Sequence, residues 1–380
     1  MKKQKKVLKK IFCILMLIII LFGFYKVNEL NYQKKKQIQE NLVNHPENLP
    51  KNDVAKATSF GFKNIRADIY RLETIQYIGG NAINSSYKKY LYQILDLITD
   101  LNPFFEHPYI IGQLLLPDYN ERYEKLAASE QEKYKDQAIE IGLKGIKIFC
   151  NEKIIEKINK EDNLQKIWND KEYENPCKSY QIPFYLAYIY YFYKNDPINS
   201  SLYYKVASAN KDSLEGAKIL AAIMQGKGGN REKSIFMFLT LAQNVADTKK
   251  VEDKACLQVA NEMKNIKYVD SSLIKGLEVT IEKIFGKFDE KKEKQFLDTD
   301  SCQNYLNKAA REVNLFYLDE ANKKYFKDTG KNAKDAKELF DKGYIDYIPK
   351  DFQQYKDYGI IYIFNEKTGY FDYDMGKYGK

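Results

Sequence analysis

Side chains able to do covalent or metal chemistry are sparse in this 380-residue chain. Its two histidines, His45 and His107, each precede a proline, and proline biases the residue before it toward extended or turn backbone. Neither belongs to a helical zinc pair, and a Ser-His-Asp or Cys-His nucleophile would have to recruit one of them. The five cysteines, at 13, 150, 177, 256 and 302, contain no C-x-x-C pair and no framework spacing. They read as small core residues, Cys13 within an apolar N-terminal run. Close acidic pairs such as Glu161 with Asp162 and Asp298 with Asp300 are candidates for paired-carboxylate acid–base work. Both sit in polar connectors where solvated charge is the default. The stretch QGKGGN from Gln225 to Asn230 has the composition of a phosphate loop. It lacks the GxxxxGK[ST] spacing and a preceding strand, so it reads as a helix-to-helix turn. No metal, no cofactor and no catalytic residue are expected.

Tyrosine is the chemically distinctive residue: the chain has 32, and tyrosine combines a large apolar body with a polar tip suited to interfaces. The densest run, QIPFYLAYIYYFY from Gln181 to Tyr193, reads as a helix from about Pro183 to Tyr193 that is aromatic almost all round. Neighbouring helices must therefore cover it on more than one side. After a Lys-Asn-Asp-Pro turn, a second helix places Ser200, Tyr204 and Ala207 on one face. Ser234, Phe238 and Leu241 repeat that small-large-small pattern at the offset of a ~34-residue helical-hairpin repeat. The pattern predicts a mainly α fold, a solenoid of helical hairpins.

The remaining elements fit around that centre. Residues 1–30 carry six lysines in the first ten positions, then an uncharged run from Ile11 to Tyr25 with no small-x-small cleavage site behind it. This predicts an uncleaved single-pass anchor with its N-terminus in the cytoplasm. A polar spacer, 31–57, leads into a repeat domain expected over 58–270. It begins with a helix in which Ile65, Ile69, Leu72 and Ile75 have core spacing, Arg66, Asp68, Arg71 and Glu73 form a solvated face, and Gly79-Gly80 ends the run. Tyr87 to Leu116 reads as a hairpin turning at Asn102-Pro103. A helix from Lys133 to Phe149 has Ala138, Ile141, Gly142, Gly145, Ile146 and Phe149 on one face, and 151–177 reads as a polar, irregular insertion holding Trp168. Helices are expected at 254–265, at the end of the repeat domain, and at 271–285 and 303–326, in a further helical region at 271–326. A small α+β cap at 327–380 should contain a β-hairpin of 360–364 and 369–373. The net charge of +9 is concentrated in the N-terminal lysines and otherwise dispersed, so no nucleic-acid partner is expected.

Leu186, Ala187 and Tyr190, then Ser200, Tyr204 and Ala207, and again Ala222 with Ser234, Phe238 and Leu241, resemble the tetratricopeptide-repeat family. An extra residue before Asn195-Asp196 and alanines at the helix-crossing positions depart from its pattern. The tail, with Gly330, Leu339, Gly343-Tyr344, Ile348-Pro349-Lys350-Asp351 and Thr368-Gly369, is similar to the C-terminal segment of pseudopilins and of some membrane-anchored repeat proteins. The resemblance implies a protein-binding groove lined by the first helix of each hairpin, here Phe184, Tyr188 and Tyr191, with Gln113 and Lys227 at its flanks. It further implies an envelope scaffold in the inner membrane, with the bulk of the chain periplasmic. Such families serve pilus, secretion-system or periplasmic flagellar-collar assembly. The competing expectations are an envelope enzyme acting on cell-wall glycan and an accessory domain that recruits one.

Overall fold

The computed structural model describes residues 14–34, 45–82, 85–119, 124–214, 216–249, 302–349, 351 and 360–374. The helices expected at 254–265 and 271–285 lie outside the described residues. Helix dominates the rest. The first helix, α1 (Ile14–Lys34), has 21 residues and is long and apolar enough to cross a membrane. At ~1.5 Å per residue that length matches a hydrocarbon core of ~30 Å. Its charged residues fall past Tyr25, where Lys26 pairs with Glu29 at 2.7 Å.

The described residues beyond α1 divide into two compact units. The first comprises residues up to Pro108 with Asp118–Glu130, the second Tyr109–Pro117 with everything from Gln131 onward. The division falls inside the stretch expected to be one repeat domain. In the first unit, α2 (Asn52–Ala57) and α3 (Lys63–Gly80) both pack on α4 (Lys88–Leu101). The buried face of α4, Leu91, Ile94, Leu95, Ile98 and Leu101, follows helical periodicity. Asn52 donates to Asp96 and Asp100 at 2.8 and 3.0 Å, and Lys56 reaches Asp100 at 2.8 Å. Lys88 and Glu124 form a fully buried ion pair at 2.8 Å, with the ammonium also donating to the Asp118 carbonyl.

Helix α3 is rotated relative to expectation. Ala67, Tyr70, Glu73, Thr74 and Tyr77 are buried, whereas Ile65, Ile69, Leu72 and Ile75 are exposed. Small Ala67 and Thr74 let α3 lie close on α4, and Tyr70 and Tyr77 fill the space beside them, a face the aliphatic stripe cannot reproduce. The charges expected in solvent are partly drawn inward. Arg66 donates to the Ala55 carbonyl at 2.9 Å and to Tyr70, and Glu73 is held almost out of contact with water.

In the second unit, α5 (Glu106–Leu115) contributes its residues from Tyr109 onward, and α6 (Ala128–Phe149) those from Gln131. The expected α6 face, Ala138 to Phe149, is buried. Gly142 and Gly145 make the crossing possible: a Cβ at Gly145 would lie 3.1 Å from both Tyr109 and Ile182, and one at Gly142 3.0 Å from Leu186. Then α9 (Gln181–Phe192), α10 (Pro197–Ser208), α11 (Gly216–Lys227) and α12 (Arg231–Lys249) pack each on the next, and α13 (Cys302–Thr329) packs along α12. The two small-large-small triplets are buried, and where helices cross, Ser201 donates to the Ala221 carbonyl and Ser234 to that of Ala222.

Residues 151–177 are not an irregular insertion. They form α7 (Glu152–Lys160) and α8 (Leu164–Asn169), each N-capped by an asparagine side chain, in a loop closed by a Cys150–Cys177 disulfide. Ile158, Leu164, Ile167 and Tyr173 enter the same core as Phe238 and Tyr305. The cysteine reading is therefore corrected: Cys150 and Cys177 are covalently paired, and Cys302 is disulfide-bonded as well. Irregular spacing concealed the pairing because the two thiols meet only after α7 and α8 fold back.

The tail forms α14 (Ala336–Asp341) and an antiparallel hairpin of β1 (Ile361–Asn365) and β2 (Tyr370–Asp374), close to the expected positions. Gly369 supplies the positive φ of the turn. Tyr362 and Phe371 point into a core shared with Leu318, Ala321, Tyr325 and Leu339. Two buried ionic clusters fasten this end. Arg231 contacts Asp319 at 2.9 Å, Glu312 at 3.0 Å and the Phe371 carbonyl. Arg311 grips Asp351 with bonds of 2.6 and 2.9 Å, and Asp351 accepts a further bond from Tyr362.

Candidate functional site

The aromatic face of α9 follows from its sequence. Pro183 sits in the first turn, where its missing N–H costs no helical bond. Ile182, Leu186, Ala187 and Ile189 face inward. One turn apart on the outer side, Tyr188 and Phe192 are both exposed, and their rings lie 4.4 Å apart. Tyr193 meets Tyr188 edge-on at 6.0 Å, and Tyr191 meets Phe192 at 4.8 Å. The chain then reverses through Asn195, at φ 53°, and Asp196 caps α10 by accepting from the Asn199 N–H at 3.0 Å. Beside the patch Lys194 is held by Glu132 and by Asp136, the latter at 2.8 Å. This fixes the reversal against α6.

The five residues singled out by sequence occupy different settings. Tyr188 is on the surface. Phe184 and Tyr191 are half-buried against the cluster of Ala187, Tyr204, Ala207 and Met224, with the Phe184 ring 5.4 Å from that of Tyr204. Gln113 is a correction: it is buried in the α5–α6 crossing, its amide nitrogen bonded to the Tyr109 carbonyl at 3.3 Å, and no partner can reach it. Lys227 is another. Its ammonium is tied to Asp372 at 2.5 Å, below the rings of Tyr191 and Tyr373, and joins α11 to β2. Burial disfavours that charge, but Asp372 outweighs it and the pKa ends above the ordinary lysine value. Phe192 and Tyr193 were not singled out, although the i, i+4 spacing of Tyr188 and Phe192 carries the signal for the former.

The positions with possible chemistry are largely absorbed by structure. Glu161 pairs with Lys166 at 2.8 Å, while Asp162 lies 3.3 Å from Lys233 and 3.7 Å from Lys205. Asp298 and Asp300 lie outside the described residues. The QGKGGN stretch is the α11–α12 turn, and the ring of Tyr370 covers Gly229 so closely that a Cβ there would collide with it. Among the described residues no three His, Cys, Asp or Glu side chains converge as metal ligands. Lys308, pushed down to about 8 by burial, lines a cavity with Lys227, Arg311, Glu312 and Asp372. That cavity holds about 20 Å³, room for roughly one water molecule.

No family model, curated protein or solved structure matches the chain. Its own geometry therefore carries the functional reading. The arrangement on α9 offers two adjoining aromatic rings on a helix whose other faces are fixed by packing. Such a rigid aromatic surface buries much area on contact with little loss of side-chain freedom.

Proposed function

We propose that this chain is a membrane-anchored envelope scaffold that binds another protein through the aromatic face of α9, with Tyr188 and Phe192 as anchors. The observation that carries the reading is the exposed pair of rings in mutual contact: large aromatics spared from the core are the residue types that dominate protein-binding energies. Tyr191 meets the Phe192 ring at 4.8 Å, and half-buried Phe184 lies on the same helix. The successive packing of α9 to α12, with triplets repeating at 34 positions, supports a tetratricopeptide-like hairpin arrangement in which α9 is a groove-forming first helix. For the location, α1 supports a single span of the inner membrane, and the lysine-rich start supports a cytoplasmic N-terminus. The disulfides support an extracytoplasmic position for the remainder, because the cytosol keeps such pairs reduced.

The test is site-specific photocrosslinking in the native membrane, with the photoreactive residue at 188 and, as control, at exposed Glu232 on α12. A discrete adduct with one envelope protein from position 188 only, lost when Phe192→Ala is added, is expected. The same adducts from both positions, or an adduct indifferent to Phe192→Ala, would refute the assignment.

A further inference from the structure

A second apolar surface lies on the first unit, at a distance along the chain from α9. Phe60 and Phe62, at the entrance to α3, and Ile65, Ile69, Leu72 and Ile75 along it are between 46% and 85% exposed. The four aliphatic residues follow i, i+4, i+7, i+10 spacing, so they form one stripe, with the two phenylalanines at its start. Six such side chains present on the order of 600 Å² of apolar surface, at the upper end of what a soluble monomer leaves uncovered. The opposite face of α3 is occupied by α4, so the stripe is fixed outward and cannot turn inward.

We propose that this stripe seats on the outer leaflet of the bilayer that α1 spans. The proposal rests on the anchor reading above. The argument for lipid as the occupant is connectivity. Roughly 25 residues separate Lys34, the end of α1, from Phe60, and even fully extended they reach at most ~90 Å. The turn at Pro46–Asn48 and α2 shorten that reach. A tether of this length keeps every copy of the stripe beside a membrane surface at high effective concentration, whereas a second copy must be met by diffusion. The composition fits interfacial seating: Phe, Ile and Leu face outward, and exposed Lys51 and Lys63 flank the segment. Asp68 and Gln76 interrupt the stripe, which favours shallow insertion among headgroups over burial in hydrocarbon. With acidic and basic residues nearly balanced across α2 and α3, binding depends on apolar contact more than on anionic lipid. The unit is thereby held flat against the membrane rather than swinging on the spacer.

The full-length protein carrying Ile69→Trp, reconstituted at one chain per vesicle in phosphatidylcholine, tests this with brominated acyl chains as quenchers. The wild type, whose sole tryptophan is Trp168, sets the background. The added emission should be blue-shifted and quenched at least twofold by bromolipid. Adding Ile65→Ser and Leu72→Ser should abolish the quenching without changing the circular-dichroism melting curve. Unquenched added emission from chains that resist carbonate extraction would overturn the proposal and leave the anchor standing. So would a blue shift seen only at several chains per vesicle, since a second copy would then be the cover. Release of the chain by carbonate would instead remove the anchor reading, and with it the tether on which this inference depends.

Discussion

Tyr204 and Tyr188 stand on neighbouring helices of one hairpin, and truncating each should have opposite consequences. Tyr204 is 1% exposed, enclosed by Ala187, Ala207, Ala217, Ala221 and Met224, with the Phe184 ring edge-on at 5.4 Å. Burial also pushes its phenol pKa well above the ordinary value, as expected of a ring withdrawn from water. Removing the ring gives up roughly 150 Å² of burial at ~25 cal/mol per Å², about 4 kcal/mol, which lies within the ~3–5 kcal/mol observed when buried aromatics become alanine. The alanines around it cannot collapse into the void, so relaxation recovers little. For a unit of this size, at ~2–4 °C per kcal/mol, Tyr204→Ala should lower the melting temperature by roughly 8–16 °C. Tyr188, 39% exposed, loses a surface ring contact with Phe192, and Tyr188→Ala should cost about 1 kcal/mol or less. Thermal unfolding of detergent-solubilised full-length protein, followed by circular dichroism, distinguishes them. Equal shifts, or a larger shift for Tyr188→Ala, would refute the assignment of one ring to the core and the other to the surface.

Two further outcomes follow from buried groups. Glu73 is pushed up to about 7 by desolvation from an ordinary value of 4.5, and its Oε2 has no hydrogen-bond partner. Between pH 4.5 and 7 the folded unit thus binds more protons than the unfolded chain, and stability falls as pH rises through that window. Glu73→Gln removes the effect, so its advantage over wild type should grow by up to about 3 kcal/mol from pH 4.5 to 7.5, read by hydrogen exchange of α3 amides; a constant difference would contradict it. Closure of the 27-residue loop by Cys150–Cys177 should contribute about 3.5 kcal/mol, lost in the Cys150→Ala, Cys177→Ala double variant and measured by urea unfolding. In protein isolated without reductant, both cysteines should resist alkylation until reduced.

Sequence was most informative where a periodicity had one physical outcome. The triplets Ser200-Tyr204-Ala207 and Ser234-Phe238-Leu241 are buried as their spacing on one face predicts, and the α6 glycine face and the Thr-Gly hairpin are of the same kind. It misled where two faces of one helix competed. In α3 the aliphatic stripe had the stronger hydrophobic signal, but Ala67, Tyr70, Thr74 and Tyr77 made the closer fit to α4, and fit is a property of the pair. Gln113 and Lys227 were placed on a surface for a similar reason: their burial depends on α6 and on a hairpin about 145 residues downstream of Lys227. Sequence spacing alone contains neither neighbour.

The cluster around Arg231 bears on how the protein is made. The guanidinium draws its partners from Glu312 and Asp319 and from the backbone of Phe371, 140 positions further along. Synthesis delivers the chain from its N-terminus, and α9 to α11 can pair with their neighbours as they emerge. Arg231 has no such neighbour. Until the final hairpin is delivered, closing the domain would bury a charge without its full set of partners, a state costing several kcal/mol. Local helix pairing is therefore expected to precede the long-range contacts that Arg231 makes, 81 to 140 positions along the chain. A polypeptide cut short before Phe371 leaves the Arg231 guanidinium without one of its acceptors, and is expected to be more open to proteases than the full chain.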